Sequence, residues 1–247
     1  MAAVIDVRRL GKRYGNRWAL TDCSLSIPAG RMAGLVGPNG AGKTTLLNLI
    51  TGMLAPSAGT ISVAGEAPAA GAAQLARVGF VVQDAPVHAG MSVADHLCIR
   101  AHLNPAWDMG MAKDRIGRLG LDPKQKAGRL SGGQRAQLAL TMALAKRPPL
   151  LVLDEPAAAL DPLARRQFMA DLAQAAAERR LSVLLSSHLI EDLERACDYL
   201  IVLAGGRVQV AGEVPELLAA HRPAGLEEMV LGYLARSAAR SREEVAR

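Results

Sequence analysis

Aromatic residues are scarce in this chain of 247, with two Phe, three Tyr and two Trp. That scarcity disfavours recognition of single-stranded nucleic acid, which stacks bases on aromatic side chains. Cysteine is scarce too: Cys23, Cys98 and Cys197 are scattered, with no Cys-x-x-Cys or Cys/His ligand spacing. A disulfide framework and a structural zinc site are therefore not expected, and a reducing cytosol fits best. No apolar run approaches the length of about eighteen residues that spans a bilayer, and no charged-then-apolar leader opens the sequence. What the chain does have is apolar mass. Half its residues are hydrophobic, enough for a large α/β core without staples. The net charge of +6 admits nucleic acid, an anionic membrane surface or nucleotide as partner and decides little alone.

The most informative stretch is Gly37-Pro38-Asn39-Gly40-Ala41-Gly42-Lys43-Thr44-Thr45. Its glycine, lysine and hydroxyl spacing is that of a phosphate-binding loop. Apolar Met32–Val36 before it reads as a buried strand, and Leu46–Ile50 after it as a helix. Such a loop turns backbone N–H groups inward, and the helix N-terminus adds partial positive charge. Lys43 is expected to reach the β- and γ-phosphates, and the Thr44 hydroxyl to coordinate Mg²⁺.

Two alternating segments, around Ile5–Val7 and Ser24–Ile27, flank the turn-like Tyr14-Gly15-Asn16 and predict an N-terminal antiparallel sheet. Tyr14 reads either as a platform for an adenine or as a hairpin residue covering apolar neighbours. Thr60–Val63 is a further strand, and Val78–Val82 a buried one ending on Gln83. That amide sits where it could reach a metal or a water, or simply be solvated. From Pro86 onward helical segments predict an inserted lobe, with His88, His96 and His102 as surface residues. Leu130-Ser131-Gly132-Gly133-Gln134 then opens an alanine-rich helix to about Lys146, with Ser131 as N-cap and uncovered N–H groups suited to an anion.

Leu150–Leu153 is the kind of continuous apolar run found in a parallel sheet, and it ends in Asp154-Glu155. Asp154 there can hold Mg²⁺ and Glu155 can face an attacking water; alternatively both acids cap the next helix. Asp161-Pro162 marks the N-cap and first residue of a helix to about Arg180, with Phe168, Leu172 and Ala176 on one face. Leu181–Leu185 predicts one more buried strand, delivering Ser186-Ser187-His188 to the same edge. A strand pair turning at Ala204–Arg207 comes after it, then a packing helix from Leu226 and an Arg/Ala/Ser/Glu tail expected to be disordered.

Taken in order, these stretches resemble the nucleotide-binding subunit of ATP-binding cassette (ABC) transporters over roughly residues 4–212. Gly37–Thr45 matches its Walker A motif, Leu130–Gln134 its signature motif and Leu150–Glu155 its Walker B motif with the catalytic glutamate. Tyr14, Gln83, Asp161 and His188 stand at the places of its adenine-stacking aromatic, Q-loop, D-loop aspartate and switch histidine. The resemblance implies a P-loop NTPase (RecA-like) α/β core, about 1–85 and 147–212, with an N-terminal antiparallel β subdomain. It also implies an α-helical subdomain, about 86–146, and a C-terminal helix and tail, about 213–247.

ATP and Mg²⁺ follow as ligands, with Thr44, Gln83 and Asp154 at the metal and Glu155 and His188 catalytic. The resemblance further implies head-to-tail pairing with a like or related cassette, so that Ser131, Gly132, Gly133 and Gln134 face ATP held by the partner. Transmembrane permease subunits are expected as partners, at the inner face of the cell membrane. The stretch after Gly212 is too short for the regulatory β-domain of some importers, which favours export. Pro156–Asp161 departs from the family pattern by lacking Thr and Ser. A nucleic-acid-associated cassette is disfavoured, having neither a coiled-coil insertion nor a tandem cassette to point to. A phosphate-loop kinase would leave Leu130–Gln134 and His188 unexplained.

Overall fold

A computed structural model describes residues 2–69, 71–83, 87–221 and 225–245. The apolar runs become strands buried along their whole length: β3 (Met32–Val36), β6 (Leu150–Asp154), β7 (Ser182–Ser186) and β8 (Tyr199–Ala204). With β5 (Val78–Val81) and β9 (Arg207–Glu213) they form a six-stranded sheet in the order β5-β6-β7-β3-β8-β9, parallel except for β9. Alternation divides each strand between two faces. Leu151 and Leu153 pack with α6 (Pro162–Arg179), α7 (Ile190–Ala196) and α9 (Leu226–Val245) on one side. Leu150 and Val152 pack on the other with α1 (Lys43–Ile50) and the N-terminal sheet.

That second sheet, β2-β1-β4, is antiparallel and built from β1 (Ala3–Tyr14), β2 (Arg17–Pro28) and β4 (Ala58–Val63). The helical lobe contains α3 (Val93–Leu103), α4 (Met109–Arg118) and α5 (Gly132–Ala145) around Val93, Leu97, Ile116, Leu138 and Met142. Helix α5 is its wall towards the core: Leu138 and Met142 face the lobe, Leu140 and Leu144 the sheet. The predicted start of the lobe at Pro86 lies outside the described residues.

Two expectations change. The tail is not disordered up to Val245, because α9 continues through it from an anchor of buried Leu226, Met229 and Val230. His96 is not a surface residue. It is buried on α3, where Nε2 accepts from the His88 N–H at 2.9 Å and Nδ1 lies 2.8 Å from the Ser92 carbonyl, so Nδ1 carries the proton. Short helices α2 (Ala72–Arg77), α7 and α8 (Val214–His221) were not foreseen, being too brief for a periodic signal.

Candidate functional site

The parallel strands β3, β6 and β7 all deliver their C-terminal ends to one edge, the place where α/β sheets bind ligands. From β3 the chain runs into the glycine loop. Gly37 passes so close to β8 that a Cβ there would stand 2.0 Å from the Leu203 carbonyl oxygen. Gly42 takes φ +103°, and its Cβ would meet Leu20 Cδ2 at 2.6 Å and the Ala19 carbonyl at 2.8 Å. Only glycine fits either position. The first N–H groups of α1, which have no carbonyl one turn earlier in the helix, are left for a ligand.

Lys43 is buried and curls over its own loop, donating to the Gly37 carbonyl at 2.7 Å and the Pro38 carbonyl at 3.4 Å. Its Nζ lies 3.6 Å from Glu155 Oε1. Glu155 Oε2 in turn is 3.2 Å from His188 Nδ1. A carboxylate only accepts, so His188 bears its proton on Nδ1 and presents Nε2 elsewhere. Glu155 follows β6 in the left-handed region at φ +46°, a strained position for a non-glycine residue. The register explains what holds it: Asp154 pairs with Ser186 on β7, and the buried Ser186 hydroxyl donates to Asp154 Oδ1 at 2.7 Å while accepting the Glu155 N–H at 2.9 Å.

A cleft of about 600 Å³ gathers Ala19, Pro38–Thr45, Gln83, Glu155 and His188. Five segments distant in sequence thus meet there. Asp154 is buried just beneath, with Oδ2 outside the Ser186 bond. Thr44 and Gln83 line the cleft and Asp154 directly precedes its Glu155, so the candidate donors are oxygens with a single carboxylate among them. Such a set fits Mg²⁺, which keeps water and phosphate oxygens for its remaining positions. No group of three or more His, Cys, Asp and Glu among the described residues offers another metal site.

Other predicted residues lie apart from the cleft lining. Tyr14 is half exposed, with Lys12 Nζ 5.5 Å from its ring centroid; Ala19, and not Tyr14, lines the cleft. Ser131 caps α5, accepting from the Gln134 N–H at 3.2 Å while Gln134 Oε1 accepts from the Ser131 N–H at 2.9 Å. Gly132 faces Ala159 and Leu160 in the loop before α6, and Gly133 faces the start of α6, where a Cβ on it would lie 3.2 Å from that of Ala164. Asp161 caps α6 through the Leu163 and Ala164 N–H groups.

Ser186 was placed at the edge by sequence but not given its anchoring role; its signal is a hydroxyl closing an apolar strand. Arg165 was missed. It donates to the Ala157 and Leu160 carbonyls at 3.4 and 3.2 Å, holding the very loop that lacks Thr and Ser. Asp192 lies 4.0 Å from it, and burial pushes that carboxyl above its ordinary value against the pull of Arg165.

Comparison with known proteins gives this geometry its family. The family model described as ABC transporter matches residues 20–158. The Nod factor export ATP-binding protein I of Burkholderia orbicola (strain AU 1054) is 35% identical over 87% of this chain and 72% of its own length. The thiamine import ATP-binding protein ThiQ of Salmonella choleraesuis (strain SC-B67) is 36% identical over 79% of this chain and 85% of its own. A solved structure of the ATP-binding subunit of an ABC transporter superposes with TM-score 0.82 at 26% identity, covering 93% of this chain and 99% of that one. No helix among the described residues is long and apolar enough to cross a membrane. The chain belongs to the ABC transporter family, as an ATP-binding subunit built on the P-loop α/β fold.

Proposed function

We propose that this chain hydrolyses ATP as one half of a two-sided pair and drives export through separate membrane-spanning subunits. The observation that carries it is Glu155, pinned by Ser186 in a strained conformation at the mouth of the glycine loop while Lys43 and His188 flank its two oxygens. In this reading residues 37–45 cradle the phosphates, Lys43 leaves its loop carbonyls for the β- and γ-oxygens, and Glu155 orients the attacking water. His188 steadies Glu155 and the γ-phosphate end, and Tyr14 lies under the adenine. Mg²⁺, held by Thr44, Gln83 and Asp154, would neutralise charge between the β- and γ-phosphates.

Ser131, Gly132, Gly133, Gln134 and Asp161 sit at helix starts outside the cleft lining. They are completed by a second cassette, identical or related, whose nucleotide they would face. The core of about 1–85 and 147–212 then does the chemistry, and the lobe of about 86–146 transmits it to permease subunits at the cytoplasmic face of the membrane. Relatives named for export and for import resemble the chain comparably. Export is favoured because the relative named for export matches over 87% of this chain, against 79% for the one named for import.

Glu155→Gln tests the reading: it is expected to bind ATP normally and accumulate as an ATP-bound dimer, whereas Lys43→Ala loses ATP affinity. Ser131→Arg is expected to keep monomer affinity and lose turnover. A wild-type monomer turning over ATP at a rate per molecule independent of concentration would sink the two-sided arrangement.

A further inference from the structure

Helices α5 and α6 lie side by side and begin at Ser131 and Asp161. Close approach at their starts relies on glycine, as the 3.2 Å gap above Gly133 shows. One turn further along α5 the seam becomes polar. Arg115, reaching in from α4 and only 8% exposed, donates to Gln137 Oε1 at 2.8 Å and Thr141 Oγ1 at 3.2 Å. Gln137 Nε2 donates to Asp171 Oδ2 on α6 at 2.8 Å, and the Arg115 guanidinium stands 3.5 Å from the same oxygen. Gln167 completes the carboxylate by donating to Oδ1 at 2.8 Å.

A buried arginine is costly to desolvate, so a network of this kind holds one geometry or fails. Apolar contacts tolerate sliding along a seam, whereas these bonds have fixed lengths and directions. The placement matters because the network ties three helices from two lobes: α4 and α5 belong to the helical lobe, α6 to the core.

We propose that Arg115 is a positioning residue whose bridge to Gln137 and Asp171 sets the spacing of the two helix starts at Ser131 and Asp161, the surface offered to the partner's nucleotide. The consequence for turnover rests on the two-sided reading above; the spacing itself does not. Arg115 touches no part of the phosphate-loop cleft.

Spin labels at exposed Arg129 and Arg166, in a Cys98→Ser background, report the spacing directly as a distance distribution in the isolated chain. Arg115→Met is expected to broaden that distribution about twofold, and the isosteric Asp171→Asn to broaden it less. The double variant should be no worse than the harsher single one, because all act through one network. Titration with a fluorescent ATP analogue should give affinities within about twofold of the parent, since the phosphate loop is untouched. ATP-driven dimerisation, measured by sedimentation in a Glu155→Gln background, should weaken about tenfold or more.

An unchanged label distribution in both variants overturns the proposal, whatever dimerisation does. Broadening with dimerisation intact refutes the link to the partner's site. If the Glu155→Gln parent never dimerises with ATP while Arg115→Met still broadens the distribution, the two-sided reading falls and the spacing role stands. Should Arg115→Met fail to fold, Asp171→Asn, which preserves shape and an acceptor for Gln137, carries the same measurements.

Discussion

Ser186→Ala removes one oxygen that serves both acids at the end of β6. The buried Asp154 carboxylate loses a 2.7 Å donor, and the Glu155 N–H loses its 2.9 Å acceptor. A hydrogen bond to a charged group contributes about 1.5–3 kcal/mol, and a buried N–H left unpaired costs about 1–3 kcal/mol. Relaxation of Glu155 out of the left-handed region would recover part of this, since such a residue stores about 1–3 kcal/mol. The net loss expected is about 3 kcal/mol, or about 6–12 °C in Tm for a chain of this size.

Function should suffer differently from stability. Freed of its anchor, Glu155 loses its place between Lys43 and His188, so kcat is expected to fall about tenfold or more while KM for ATP moves less than about threefold. Calorimetry and steady-state phosphate release measure the two effects. A variant with wild-type Tm and wild-type kcat would refute the claim that Ser186 holds the glutamate in position. A variant with lowered Tm and unchanged kcat would refute the functional half alone.

Gly37→Ala is expected to be the most destabilising single methyl in the glycine loop. Its Cβ would overlap the Leu203 carbonyl, and overpacking of that kind costs about 1–3 kcal/mol or more, readable in urea unfolding. Asp192→Asn should stabilise the protein at pH 7. Burial raises the Asp192 pKa above its ordinary 3.8, so the stability tied to its neutral form is lost as pH rises through the folded value. The variant's advantage in Tm should vanish as pH falls below 3.8, where both side chains are neutral. Of three thiols, only the exposed Cys98 should react promptly with a disulfide reagent. Burial pushes Cys197 up to about 12 and raises Cys23, so both should label only on unfolding.

The parts of the fold legible in sequence were those with a local cause. Leu150–Leu153 announces a two-faced strand because nothing but burial on both sides tolerates it, and Asp161-Pro162 announces a helix start because N-cap and N1 chemistry are local. The strand turning at Ala204–Arg207 and the cap at Ser131 were readable for the same reason. His96 was misplaced because its partners, the His88 N–H and the Ser92 carbonyl, are backbone groups that no side-chain pattern reveals. The tail was misread for a related cause: its composition is that of a solvated segment, yet Leu226, Met229 and Val230 anchor the helix that carries it.

Arg115 shows where such reading stops. On α4 it stands among Lys113, Asp114 and Arg118, and a charged run on a helix ordinarily reads as a solvent face. Only when α4 crosses the seam between α5 and α6 does one of those charges turn inward to Asp171, 56 positions away in the chain. The same holds for Ser186, whose partners Asp154 and Glu155 lie 32 and 31 residues earlier. Residues that touch a ligand carry a signature because the ligand dictates their type and spacing. Residues that position them answer only to the fold, so many side chains could do their work and none is implied until strands and helices are set beside one another. Substitutions at Arg115 and Ser186 should therefore alter how the site is assembled while leaving every recognisable motif intact.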